Sequence, residues 1–394
     1  MPGELRPVTI VVPLPPTYRG GTEEYAYRLA ARFARVRPVR IVTTTVRASS
    51  GTPAVDIGTI PVTRLRGREL FQRPVVWLPG EGRKLRRLVE SSSLVQLHMP
   101  FPWIERRVTR WARAAGIPTV LTYHMDADAG GGPGSRFAST VTRAYRRLSA
   151  EPALGSAGAV VSNSLGYARA SPVLSRHLAK VQVIAKGVAP ERLGLAAIGS
   201  PRPPRFEPDA TLLPGMGPNE RRILFVGRLV PYKGLDVLLN ALPGVRERVP
   251  DAVVYIAGTG PMRSALEEQA SRSGLQAHVR FLGFVPDERL GELYRSADVV
   301  ACPSLNLMES TATTLEEAAA CGVPVVGSAL PGADESIPND GRHGRLVPPR
   351  DPEALADALV ALLQAPRPTD PLQYRTWDDT ASDYLALFHE LGAN

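Results

Sequence analysis

Two glutamates with seven residues between them, Glu309 and Glu317, stand in the stretch CPSLNLMESTATTLEEAAACGVPVV. DVVACPS before them reads as a strand, and NLMES as the loop at its C-terminal end. Thr313 and Thr314 each precede a glutamate by three residues (Glu316 and Glu317), a spacing that predicts a capping box and a helix start. Gly322 and Pro324 end that helix, and VPVVGS supplies the next strand. Glu309 is then expected on a loop facing the ligand. The amides of Ser310, Thr311, Ala312 and Thr313 are expected at a helix N-terminus, where unpaired N–H groups and the helix dipole favour an anion. Glu317, in the second turn, is within reach of a diol. A diphosphate flanked by two polyols satisfies all three features, and a nucleotide-sugar has that shape.

A second cluster points the same way. ILFVGRLVPYKG sets Arg228 and Lys233 just after a strand, between Gly227 and Gly234. Arg228 can fork across two phosphate oxygens, and Lys233 adds a point charge. Taken alone, the pair reads equally well as two solvated surface charges.

The elements that must position these groups follow from the alternation of apolar runs and helical stretches. VTIVVPL, the amphipathic EEYAYRLAARFARV and VRIVTTT open the chain; SLVQLHM, IERRVTRWARAAG and PTVLTYH follow, then SAGAVVSNS and VQVIAKG. Periodicity stops between residues 201 and 220, in a stretch rich in Pro and Gly, and restarts with RRILFVGRL. The expected class is α/β: two Rossmann-like domains with doubly wound parallel sheets, facing across a cleft. The expected boundaries are 1–200 for an acceptor-side domain, 201–220 for a linker and 221–375 for a nucleotide-sugar domain. A final helix, 376–394, is expected to cross back onto the first domain.

Composition narrows the class. The 394 residues are too many for one ordinary core, and 44% hydrophobic with 22% charged residues is usual for a globular protein. Two cysteines exclude a disulfide framework and fit a reducing cytoplasm. No apolar run reaches membrane-spanning length, and PVTIVVPLPP lacks the basic start and cleavage region of a signal peptide. The net charge of +9 comes from dispersed arginines without a nucleic-acid or zinc motif, so no nucleic-acid partner is expected.

Taken together, these ordered motifs resemble the retaining glycosyltransferases of family four, with the GT-B architecture. The resemblance covers most of the chain and is strongest from residue 221 to about 350. It rests on the GR–KG pair, the GTGP turn (Gly258 to Pro261), FLGFVP (Phe281 to Pro286), Pro303–Ser304, the two glutamates and EAAACGVPVV. In the first half, Arg19–Gly20–Gly21 resembles the family's glycine loop and TYHMD its strand-end histidine motif. The resemblance implies that Arg228 and Lys233 neutralise a departing diphosphate, Glu317 binds ribose hydroxyls and Glu309 contacts the donor sugar. It also implies that His124 lies beside the reacting face, that Gly20, Gly21, Gly227 and Gly258 approach the donor, and that Gly283, Phe284 and Val285 line the base pocket. The chain departs from the pattern at Thr311, Ala312 and Lys186, where the family usually has an aromatic residue, a glycine and an asparagine.

His98 follows a strand and is open to lining the cleft or packing; Asp126 is open to facing the acceptor or orienting His124. Asp126 and Asp128 form a D-x-D, but with two cations already available no metal is assigned. Trp103, Trp111 and Tyr145 read as core. The expected activity is retaining transfer of a sugar from a nucleotide diphosphate-sugar, a co-substrate with no further cofactor, to a small-molecule or lipid-linked acceptor. The basic stretches ERRVTRWARAAG and TRAYRRL leave a peripheral contact at the inner face of the membrane open. An epimerase or hydrolase of the same fold, or a non-catalytic nucleotide-sugar binder, also fits the residues. The oligomeric state is not legible.

Overall fold

The computed structural model describes residues 5–18, 20–46, 55–70, 73–75, 79–126, 136–195, 212–213, 217, 219–308, 313–368 and 372–393. Of the expected site, Arg19, Asp128, Glu309, Ser310, Thr311 and Ala312 lie outside these residues, as does most of 201–220. The chain divides into two compact units, Met1–Lys186 with Trp377–Asn394, and Gly187–Thr376.

The first unit carries β1 (Val8–Val11), β2 (Val39–Thr44), β3 (Val62–Leu65), β4 (Leu94–Met99), β5 (Thr119–Tyr123), β6 (Ala159–Ser162) and β7 (Val181–Val183). They form one sheet in the order β3-β2-β1-β4-β5-β6-β7, parallel throughout. The central strands are buried along their whole length, so they read as unbroken apolar runs rather than alternating ones. The strand order reverses between β1 and β4, and this is where a doubly wound sheet opens a crevice at its carboxyl edge.

The last helix, Trp377–Glu390, belongs to this unit. Its buried residues Trp377, Thr380, Ala381, Tyr384, Leu387 and Phe388 repeat every three or four positions, one face of a helix. That face packs on the helix Gly21–Phe33: Phe388 stands 5.2 Å from Phe33, and Trp377 4.9 Å from Tyr25, ring centre to ring centre. Asp378 pairs with Arg32 and Arg35 at 3.0 Å, and the Thr380 hydroxyl donates to the carbonyl of Ala185.

The second unit repeats the plan with β8 (Arg221–Val226), β9 (Ala252–Ala257), β10 (Val279–Gly283), β11 (Val299–Cys302), β12 (Val325–Ser328) and β13 (Gly344–Val347). The order is β10-β9-β8-β11-β12-β13, all parallel, with the reversal between β8 and β11. The helices Leu235–Arg248 and Pro352–Gln364 pack together against this sheet. The second starts on Asp351, whose side chain accepts from the Ala354 amide at 2.9 Å, with proline at the first helical position.

Candidate functional site

The sequence-predicted residues fall on both units. In the second unit the strand ends at the switch point are stitched by glycines. The Gly227 amide donates to Ala257, and the Gly258 amide to Gly283 at 2.7 Å. A side chain on Gly258 would place its Cβ 1.8 Å from the Gly227 carbonyl oxygen, and Gly258 has φ 139°. Only glycine permits that approach, so the turn after β8 is fixed by backbone contact rather than by side-chain packing.

The cationic loop grows from this turn. Arg228 is exposed and has no ion-pair partner among the described residues. Pro231–Lys233 forms a 3₁₀ turn closed by Gly234 at φ 67°. A Cβ on Gly234 would meet the Pro303 carbonyl oxygen at 2.0 Å, and the Leu305 amide donates to the Tyr232 carbonyl at 2.8 Å. The loop after β8 is thereby fastened to the loop after β11. The Lys233 side chain folds back toward Gly227, its Cε 3.9 Å from where a Cβ on that glycine would stand.

The helix Thr313–Ala320 meets the same place. The Thr314 hydroxyl donates to the carbonyl of Val226, the last residue of β8, at 3.1 Å. This corrects the expected capping box at Thr314 and Glu317, since Thr314 already lies inside the helix and the glutamate is engaged elsewhere. Tyr294 donates its hydroxyl to Glu317 Oε2 at 2.9 Å, and Arg192 Nη1 lies 3.6 Å from Oε1. Glu317 is buried with Tyr294 beside it. Burial and the adjacent Glu317 charge push the Tyr294 phenol well above its ordinary value, so it stays protonated and donates. Gly283, at φ 71°, turns the chain after β10. Phe284 is 59% exposed there, and Val285 packs partly against the core. Thus Gly227, Arg228, Lys233, Thr313 and Glu317 gather around the carboxyl ends of β8 and β11, while Gly258, Gly283, Phe284 and Val285 continue along β9 and β10.

In the first unit, Gly20 precedes the helix Gly21–Phe33, and a Cβ on it would strike Glu23 Oε2 at 2.4 Å. A Cβ on Gly21 would meet nothing within 4 Å. His98 is the penultimate residue of β4 and His124 follows β5. Their rings lie edge to edge and nearly coplanar, 5.1 Å between centres with 14° between planes, and His98 Nδ1 lies 2.8 Å from His124 Nε2. Burial depresses both, with the opposing imidazole adding to the effect on His98 and the Lys186 charge to that on His124, which falls to about 3. Both rings are therefore neutral at physiological pH. His98 is packed rather than exposed to a ligand.

Asp126 does not orient His124. Its Oδ1 accepts from Tyr123 and Ser171 at 2.8 and 3.0 Å, its Oδ2 from Tyr167 at 3.3 Å, and its own amide donates to the Tyr167 hydroxyl. The carboxylate is thus committed to the protein's own hydroxyls. Trp103 is also not core: it caps the helix Ile104–Ala114 at φ 69° and is 39% exposed. Among the described residues no group of three or more His, Cys, Asp or Glu could hold a metal ion. Sequence reasoning missed Tyr294, Arg192 and Tyr25. The signal for Tyr294 was a tyrosine on an apolar helix face, where a buried hydroxyl needs a partner.

Comparison with known proteins gives the same frame. The profile of glycosyl transferases group 1 matches residues 220–365, and that of the glycosyl transferase 4-like domain matches residues 20–187. D-rhamnosyltransferase WbpZ of Pseudomonas aeruginosa is 30% identical over 292 residues, covering 74% of this chain and 69% of that protein. The phosphatidyl-myo-inositol mannosyltransferase of Mycobacterium leprae is 47% identical over 145 residues, so the match spans 36% of this chain and 37% of that relative. Anabaena HepE, solved in complex with UDP, superposes with a TM-score of 0.65 at 20% identity, over 97% of this chain and 95% of its own, a likeness of fold. Two doubly wound units of this kind make up the GT-B class. With both profiles in sequence order and one relative matched over more than two thirds of its length, the chain belongs to the group 1, family-four-like glycosyl transferases.

Proposed function

We propose that the protein transfers a sugar from a nucleotide diphosphate-sugar to an acceptor hydroxyl with retention of anomeric configuration and without a metal ion. The observation that carries this reading is the convergence in the second unit. The free Arg228, the Lys233 loop and the N-terminal turn of Thr313–Ala320 meet at the end of β8, with Glu317 clamped one turn further on. Two cations and a helix N-terminus favour a diphosphate that gains charge as it departs, and they do so without reorganising at the moment of reaction. Glu317 then offers a fixed carboxylate to ribose hydroxyls. On the first unit, His124 is the neutral side chain that the family resemblance offers to the substrate.

The acceptor is a small molecule or a lipid-linked hydroxyl. No helix among the described residues is long and apolar enough to cross a membrane. A peripheral contact is supported by the basic helix Pro79–Glu90, whose Arg83, Lys84 and Arg87 surround a surface cavity of about 420 Å³.

The test is a thermal-shift panel of UDP, GDP, dTDP and ADP and their common sugar conjugates, with and without magnesium, beside Lys233→Ala. A ligand of the native state raises the melting temperature. One nucleotide should stabilise the wild type, not the variant, and independently of magnesium. No shift with any of them overturns the proposal. Turnover without acceptor would favour a hydrolase or epimerase, and binding without turnover a non-catalytic partner.

A further inference from the structure

The histidine pair of the first unit has an asymmetry that bears on its chemistry. His98 Nδ1 and His124 Nε2 share one hydrogen bond at 2.8 Å. His98 Nε2 is fully buried and finds no hydrogen-bond partner among the described residues. His124 Nδ1 is bonded to no described residue. Both rings are neutral, so each carries one proton and the shared bond holds one of them.

Only two arrangements satisfy that bond. In one, His124 donates from Nε2, so His98 must carry its own proton on Nε2, where a buried N–H meets no acceptor. In the other, His98 donates from Nδ1, its Nε2 keeps an unused lone pair, and His124 carries its proton on Nδ1. Orphaned buried N–H groups are the rarer defect in folded proteins, so the second arrangement is favoured.

The rings have little freedom to exchange roles by flipping. Tyr25 abuts both edge-on, at 5.9 Å from His98 and 5.0 Å from His124. Its hydroxyl lies 3.3 Å from that of Tyr384, which in turn lies 3.0 Å from the Thr122 hydroxyl. Thr122 is the register partner of His98 across β4 and β5. The His124 amide also bonds the Met99 carbonyl, which carries the sheet pairing one residue past both strands.

We infer that His98 is a positioning residue that fixes the tautomer of His124, holding the proton on Nδ1 so that His124 presents a neutral hydrogen-bond donor to an oxygen of the bound substrate. The second nitrogen of a functional histidine commonly sets the state of the first. Here that role falls to a second, buried histidine rather than to a carboxylate. A carboxylate would favour the charged imidazolium, whereas a neutral partner keeps His124 a donor that does not titrate. The use of that donor on substrate rests on the proposed function, but the tautomer itself is a property of the ligand-free protein.

The experiment is ¹⁵N NMR of the histidine side chains in the full chain, labelled at its six histidines, without ligand. The His124 signals are assigned by their loss in His124→Gln. In the wild type, Nδ1 of His124 should show the protonated, pyrrole-type shift and Nε2 the bare, pyridine-type shift, unchanged from pH 5 to pH 8. His98→Leu should abolish this state, giving exchange-averaged shifts or titration. His98→Asn, whose amide nitrogen stands where Nδ1 stood, should restore it. Protonation of His124 at Nε2 in the wild type overturns the inference, as does a His124 signature unchanged in His98→Leu. Because the wild-type spectrum alone decides the tautomer, a variant that fails to fold leaves the inference open to refutation. A nucleotide panel without any hit would sink the proposed function and leave this result standing.

Discussion

Tyr294 holds Glu317 from behind: the phenol donates to Oε2 at 2.9 Å, while Arg192 stands 3.6 Å from Oε1. Arg192 itself lies 3.9 Å from Asp287, on the loop that follows Phe284 and Val285. The carboxylate that the family resemblance gives to the ribose is therefore fixed by a helix 23 residues upstream and by an arginine farther back in the same unit.

Tyr294→Phe keeps the packed ring and removes that hydrogen bond. Without that donor the carboxylate is no longer held in one orientation, so nucleotide affinity should fall by up to about tenfold. The melting temperature should also fall by a few degrees, since the bond is present without ligand and its loss leaves Arg192 alone beside a buried carboxylate. Calorimetric titration with the best nucleotide of the panel reads this directly, and an unchanged Kd would dissociate Tyr294 from the site.

Glycine substitutions should separate architecture from ligand approach. Gly258→Ala forces the Gly227 carbonyl to move and should cost about 2–4 kcal/mol, lowering the melting temperature of its unit by roughly 5–10 °C. Gly21→Ala meets open space and should be thermally neutral. If Gly21→Ala destabilises as strongly as Gly258→Ala, the geometry described for the glycine loop is wrong.

Buried ionisable groups give stability a pH dependence of two signs. The folded-state value of His124, about 3, lies below its ordinary 6.5. Its contribution is therefore complete above about pH 6.5 and is lost as pH falls toward 3; His98 acts in the same direction. Glu105 is the reverse: burial raises its carboxyl from 4.5 to about 8, so its contribution is complete below about pH 4.5 and is lost as pH rises through 8. Glu105→Gln should gain about 2 kcal/mol or more at pH 8 relative to pH 5, read by urea denaturation at both values. An equal effect at the two pH values would refute this assignment.

Asp126→Ala should behave as a loss of scaffold. Three hydroxyls lose their acceptor, which should cost about 2–3 kcal/mol. Activity per folded molecule should stay within about threefold. A large change in acceptor KM with the melting temperature intact would instead return Asp126 to the substrate.

The sheets, the strand ends and the glycine turn of the second unit were legible because they rest on local patterns: apolar runs, a helix after each strand, and glycines where two backbones touch. What escaped depends on partners far apart in sequence. Tyr294 looks like any core tyrosine until Glu317 is brought beneath it. Asp126 looks like half of a metal motif because Asp128 is its neighbour in sequence, whereas two of its three hydroxyl partners, Tyr167 and Ser171, lie 41 and 45 positions on. His98 was undecided for the same reason, since the ring it bonds comes from the adjacent strand. The capping pattern at Thr314 failed because the helix already begins at Thr313 and Glu317 is held by Tyr294, a partner unseen in a linear reading.

The first unit is assembled from two pieces of chain with the whole of the second unit between them. During synthesis, the helix Gly21–Phe33 therefore emerges with Tyr25 and Phe33 uncovered. It waits on the order of tens of seconds, at ribosomal speed, for Trp377, Tyr384 and Phe388 to be made. The second unit, continuous in sequence, can finish first. Co-translational folding thus runs against chain order: the unit that begins emerging first is completed last, and its aromatic face is the one that a chaperone would have to guard.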